Sequence, residues 1–181
     1  RTDNQRDLHY FPTRRSSDIT NSSLSSSTIF KDMKTTDIDG NKVDKSIFSK
    51  YKLTMVNVWN TGCSPCISEI PTLDRLNKEY REKGVSIKGM LLESGIGLTD
   101  EEKATAKEIL SKANATYQQL TVTKDMVEKD DTLLLQAFPT TFFIDKDGNI
   151  VDSIEGSNDY DRSEERRVGK EERSGGSPDR Y

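Results

Sequence analysis

This chain has almost nothing with which to hold a metal. Its 181 residues include two cysteines, Cys63 and Cys66, and one histidine, His9. A structural zinc site needs four such ligands, so zinc is a poor reading of the cysteine pair and no metal is expected. Haem attachment through C-x-x-C needs a histidine directly after the second cysteine, and Ile67 stands there instead. No apolar run is long enough to span a bilayer. A surplus of basic charge is also missing: 27 Lys and Arg stand against 31 Asp and Glu. That balance excludes the basic stripe that nucleic-acid binding requires. No cofactor is expected either.

The two ends lack the periodicity of folded elements. Residues 11–18 (Phe-Pro-Thr-Arg-Arg-Ser-Ser-Asp) can be written in codons whose reverse complement, read in a shifted frame, encodes Ser163 to Gly169. Both segments resemble translated sequencing-library adapters. Residues 1–18 and 162–181 are therefore expected to be a non-native extension and tail, and are set apart from functional reasoning. Ten of the 27 basic and eight of the 31 acidic residues go with them, leaving a mildly acidic net charge of −6. Residues 19–27 are Ser-rich and read as a flexible tether. Residues 28–161 are enough for one domain with one core.

What the chain does have is Trp59-Asn60-Thr61-Gly62-Cys63-Ser64-Pro65-Cys66, set between an apolar run from Leu53 and a stretch of helical periodicity. A C-x-x-C at a strand–helix junction puts the first sulfur at a helix N-terminus, where free N–H groups and the helix dipole favour a thiolate. Such sites lower a thiol from ~8.5 to roughly 3.5–7.5. The thiolate is the species that attacks disulfides, so the motif points to thiol–disulfide exchange. A purely structural disulfide is the bland alternative, but so short a loop gains little from constraining the unfolded chain.

This segment, Val56 to Pro71, resembles the active-site region of the thioredoxin-like TlpA/ResA group of extracytoplasmic thiol–disulfide oxidoreductases. A second block, Phe138-Pro139-Thr140-Thr141-Phe142-Phe143-Ile144-Asp145 followed by Lys146-Asp147-Gly148-Asn149, carries the same resemblance. It implies an α/β thioredoxin-like fold, with a central mixed β-sheet flanked by helices. By the same resemblance, Cys63 is the attacking and Cys66 the resolving cysteine. Pro139 is a cis proline facing them, and Trp59, Pro65, Phe138 and Pro139 belong to the substrate groove. Glu69, three residues after Cys66, falls on the same helical face. It matches a family glutamate that tunes the cysteines or moves protons; the alternative is a solvated helix carboxylate. Classical thioredoxin has an aspartate where this chain has Asn57, which cannot relay a proton. Gly62 replaces the aromatic residue that the group often has before the first cysteine. Pro71 matches a helix-kinking proline.

The rest of the domain reads as follows. Ile29 to Lys34 and Val43 form an N-terminal β extension around Asp39-Gly40, and Ser46 to Tyr51 a helical turn. Leu53 to Trp59 is a buried strand. Ser64 to Lys83 is a helix with Ile67, Ile70, Leu73 and Leu76 inward, ended by Gly84. Val85 to Leu92 is the next strand. Thr99 and Glu102 form a capping box on a helix reaching about Asn114. Tyr117 to Leu120 forms a short strand, Asp131 to Ala137 a helical turn, and Thr141–Asp145 with Asn149–Ile154 a hairpin. The fold normally closes with a further helix; residues 156–161 look like its start, so that helix is expected to be truncated or replaced.

The function this predicts is reduction of protein disulfides outside the cytoplasm, by a membrane-anchored or secreted monomer whose anchor or signal segment is not in this sequence. Its partners are then a disulfide-containing protein substrate and a membrane-borne thiol electron donor. A non-catalytic thioredoxin-like binding or scaffold module is the rival. A peroxidase is disfavoured by the C-x-x-C spacing.

Overall fold

The computed structural model describes residue 24 and residues 26–95 and 97–157. The expected extension at 1–18, most of the tether, residues 158–161 and the tail at 162–181 lie outside the described residues. The elements run β1 (Lys34–Thr36), β2 (Lys42–Asp44), α1 (Ser46–Ser49), β3 (Leu53–Trp59), α2 (Ser64–Tyr80), β4 (Val85–Leu91), α3 (Asp100–Lys112), β5 (Gln119–Thr121), α4 (Lys124–Lys129), β6 (Thr140–Asp145) and β7 (Ile150–Glu155).

Five strands form one sheet in the order β5-β4-β3-β6-β7. The β3–β4 and β4–β5 pairs are parallel, and β3–β6 and β6–β7 are antiparallel. The mixed sheet of the thioredoxin-like fold is thus present. A separate two-stranded hairpin, β1–β2, joins the edge of this sheet through a bridge between Asp37 and Leu120.

Strand β3 is central because its residues suit burial on both faces. Side chains alternate: Met55 and Trp59 enter the apolar cluster under α2 and α3 with Ile70, Leu73, Ile87 and Leu110. Val56 and Val58 enter the opposite cluster with Phe30, Phe48, Met126 and Phe142. Fully burying one such aliphatic side chain contributes roughly 1.5–3 kcal/mol, so Ile70 and Leu73 are enough to seat α2 firmly on the sheet. Pro71 stands inside α2 on its solvent side, where it withholds one helical N–H. A 3₁₀ turn over Arg81–Lys83 follows, and Gly84, at φ +89°, ends the run in the left-handed region that favours glycine. At α3 the capping box is formed: the Thr99 hydroxyl accepts from Glu102 N–H at 3.1 Å and Glu102 Oε2 accepts from Thr99 N–H at 2.8 Å.

Three segments differ from expectation. Ile29 and Phe30 lie in turns rather than in a strand, with Asp32 N–H bonded to Thr28 O at 2.9 Å. Phe30 plugs the core edge-on to Phe48, centroids 5.8 Å apart, so its apolarity serves packing and the strand begins only at Lys34. Helix α4 was not anticipated; Thr123 caps it, accepting from Met126 N–H at 3.3 Å. Of the turn expected over 131–137, only Asp131–Leu133 is helical, as one 3₁₀ turn.

Candidate active site

The site begins where β3 ends. Trp59 closes the strand, Asn60 to Gly62 form a tight connection, and Cys63 occupies the N-cap of α2 in extended conformation. Two side chains brace this connection. Asn60 Oδ1 accepts from Gly62 N–H at 3.1 Å, and Glu93 Oε1, just past the end of β4, accepts from Thr61 N–H at 2.8 Å. Cys63 Sγ then accepts from Cys66 N–H at 3.3 Å, filling the place of the usual Ser or Asp cap. Pro65 follows in the first turn, where its missing N–H leaves no helical bond unmade. No acidic residue lies in that turn, so no carboxylate competes with a Cys63 thiolate for the positive end of the helix.

Cys63 and Cys66 are joined in a disulfide, with Cα atoms 5.3 Å apart. Their exposures differ: Cys66 is 0% exposed and Cys63 is partly exposed. Of the two sulfurs, only that of Cys63 belongs to a residue open to a group arriving from solvent.

The other expected residues gather around the pair to different degrees. Pro65 is exposed beside it. Glu69 lies one turn deeper, only 6% exposed, so it is not a solvated helix carboxylate. Phe138 packs, as Cys63 does, against the apolar cluster that contains Cys66. The Phe138–Pro139 bond is cis, and Pro139 immediately precedes Thr140, which pairs with Val58 one residue before Trp59. Pro139 is itself buried, and its carbonyl accepts from Gly156 N–H at 2.8 Å. Trp59 is 0% exposed, so it backs the motif from inside and does not line an open groove. Asn57, also buried, donates through Nδ2 to Thr141 Oγ1 at 3.1 Å.

Two residues escaped the sequence reading. Glu93 carried one usable signal, since it follows the carboxyl end of a parallel strand, where functional groups of α/β sheets collect. Gln119 carried none; it accepts from Trp59 Nε1–H at 2.9 Å across the sheet.

A cleft of about 630 Å³ opens on the opposite face, among Leu24, Lys129, Leu135, Phe142 and Glu155. Neither cysteine lines it; Cys63 is partly exposed elsewhere on the surface, where a macromolecular disulfide can reach it, and Cys66 lies beneath. Among the described residues, no three His, Cys, Asp or Glu side chains converge as for a metal. None of their helices is long and apolar enough to cross a membrane.

Comparison with known proteins bears on the family and the fold. The Redoxin family profile matches residues 24–169. The thiol-disulfide oxidoreductase ResA of Bacillus thuringiensis subsp. konkukian is 31% identical over 130 residues, spanning 72% of this chain and 69% of that protein. The thioredoxin domain of a thiol-disulfide oxidoreductase from Bacteroides vulgatus superposes with a TM-score of 0.56 at 26% identity, covering 74% of this chain and 91% of that one. A thioredoxin-family thiol:disulfide interchange protein from Chlorobium tepidum, at 23% identity and TM-score 0.56, shares the fold over 77% of this chain and 91% of its own.

Proposed function

The chain belongs to the Redoxin family and is a thioredoxin-like thiol–disulfide oxidoreductase of the ResA type, and on that premise we propose how its residues divide the reaction. Disulfide-bonded proteins are its substrate class. Cys63, as thiolate, attacks one sulfur of a substrate disulfide. The S–S bond breaks, the departing sulfur leaves with the electron pair and takes a proton, and a mixed disulfide joins Cys63 to the substrate. Cys66 then loses its proton and attacks Cys63 Sγ. The Cys63–Cys66 bond forms, the second substrate thiol departs, and two electrons have passed from protein to substrate.

Glu69 is the group proposed to take and return the Cys66 proton. Its support is position: it is buried one turn along the helix from a buried thiol. The surface at Pro65 and Phe138 receives the substrate backbone, with the buried cis proline Pro139 setting the course of the chain beneath it. Trp59 supports it from within. The single observation that carries the reading is the asymmetry of the pair, one sulfur at the surface on a helix N-cap and the other with no exposed area.

We further place the protein outside the cytoplasm, membrane-anchored or secreted, working as a monomer and re-reduced by a membrane-borne thiol donor. Labelling of intact cells with a membrane-impermeant thiol reagent tests the compartment.

The test of the chemistry is turnover of insulin disulfides with dithiothreitol. Full-length protein should accelerate insulin reduction, and Cys63→Ala should abolish the effect. A Cys66→Ala variant should accumulate mixed disulfides with its substrates. Tight partner binding without turnover would favour the scaffold reading and sink this one.

A further inference from the structure

The proposed cycle leaves unused a row of side chains on the face of the sheet that α2 covers. The register aligns Thr141, Asn57, Gly89 and Gln119 across β6, β3, β4 and β5. Gly89 has no side chain, and Gln119 uses the vacancy. Its carboxamide lies where a Cβ on Gly89 would have to be. By crossing β4 in this way it reaches β3, where its Oε1 accepts from Trp59 Nε1–H at 2.9 Å. Its Nε2 donates to Tyr117 O at 3.3 Å. Both ends of the carboxamide are therefore bonded, on a residue only 3% exposed.

Such an arrangement is a costly way to fill space. A buried amide and a buried indole N–H each lose water, and their mutual bond only offsets that loss. An apolar side chain of the same volume would fill the gap without the cost. What the bond adds is direction: it fixes the rotation of the Trp59 indole, and Trp59 is the last strand residue before the connection that carries Cys63. Trp59 and Cys66 also share one apolar cluster. We propose that Gln119 is a positioning residue of the redox centre, holding Trp59, and through it the Cys63–Cys66 loop, in the disulfide geometry. The proposal rests on the Cys63/Cys66 reading above.

The proposal entails a sign: a bond that holds the loop in the disulfide geometry favours the oxidised form, so removing it weakens that form more than the dithiol. Gln119→Met keeps the side-chain length and deletes the acceptor. In full-length protein equilibrated with glutathione buffers, it should shift the thiol–disulfide equilibrium toward the dithiol by about threefold or more, about 14 mV for a two-electron couple. A merely structural residue would lower the melting temperature of both redox forms and leave that equilibrium alone. Trp59 is the sole tryptophan, so indole emission and the single indole N–H resonance both report on this one side chain.

In the wild type, that N–H should exchange slowly with solvent while the disulfide is closed. Trp59→Phe deletes the donor, and Gln119→Met added to it should move the equilibrium no further. An unchanged equilibrium in Gln119→Met, a shift toward the disulfide, or additive effects in the double variant would overturn the proposal. If Gln119→Met fails to fold, rapid exchange of the wild-type indole N–H would do the same. A wild type that exchanges no disulfide at all would instead refute the underlying cycle, so the two failures are distinguishable.

Discussion

Asp74 is where the active-site helix is tied to the far edge of the sheet, and replacing it with alanine should be costly in a pH-dependent way. The carboxylate is 5% exposed. Its Oδ1 accepts from Thr116 N–H at 2.6 Å, Thr116 Oγ1 at 2.9 Å and Tyr117 N–H at 3.2 Å, while Oδ2 meets Lys78 Nζ at 2.5 Å. Lys78 is mostly exposed, so that ion pair adds only about 0.3–0.5 kcal/mol. The larger loss comes from the N–H groups of the connection into β5. Tyr117 N–H is buried, and a buried donor left without its acceptor costs about 1–3 kcal/mol. Thr116 can turn partly to water. About 2–3 kcal/mol in all is the expected destabilisation of Asp74→Ala at pH 7. Urea unfolding followed by Trp59 emission measures it.

The acid dependence has a definite sign. Burial pushes the Asp74 carboxyl up, but hydrogen bonds from Lys78 and Thr116 outweigh it, and the net effect is to lower its pKa below the ordinary value of 3.8. A carboxylate with a depressed folded-state pKa gives its full stabilisation above the unfolded value and loses it as pH falls through the folded one. The gap between wild type and Asp74→Ala should therefore be constant from neutrality down to about pH 5 and narrow below the ordinary carboxylate range, as the charge-dependent part of the stabilisation is lost. A penalty under about 0.5 kcal/mol at pH 7, the scatter of surface substitutions, would refute the reasoning. So would a penalty that stays the same in acid.

Other outcomes are equally definite. After reduction, iodoacetamide at neutral pH should label Cys63 well before Cys66, and peptide mapping that found the reverse order would exchange their roles. Glu69→Gln should displace the pH profile of cysteine alkylation while leaving the folded far-ultraviolet spectrum in place; an unmoved profile removes Glu69 from proton transfer. Deleting residues 1–18 should change unfolding free energy by no more than about 0.5 kcal/mol, since nothing in their pattern marks a core. An amphipathic helix appended after Asp161 should raise Tm by covering the β6–β7 edge, where Val151 is 56% exposed; no gain would mean that the edge needs no further cover.

Much of the site was legible because its determinants are local. Leu53 to Trp59, the cysteine pair and the α2 periodicity follow one another without a break, and caps such as Thr99 with Glu102 are written within four residues. Glu93 and Gln119 were not legible because their partners are set by strand pairing. Gln119 reaches Trp59 only because it lies beside Gly89, a register that no short window encodes. Helix α4 is six residues with Met126 as its buried member, too short to show a period. Phe30 misled for the opposite reason: an apolar residue near a hairpin reads as strand, yet here it is a plug held by turns.

The cap of α2 has a further consequence. A threonine or aspartate cap is chemically constant, but in the proposed cycle Sγ of Cys63 would be in turn a thiolate, half of a mixed disulfide and half of an internal disulfide. As an anion it is a strong acceptor for Cys66 N–H; as a bonded sulfur it is a weak one. On that cycle the opening turn of the helix would be tighter in the thiolate form than in the disulfide form, so the redox state of the pair would be written into the first turn of the helix that carries it.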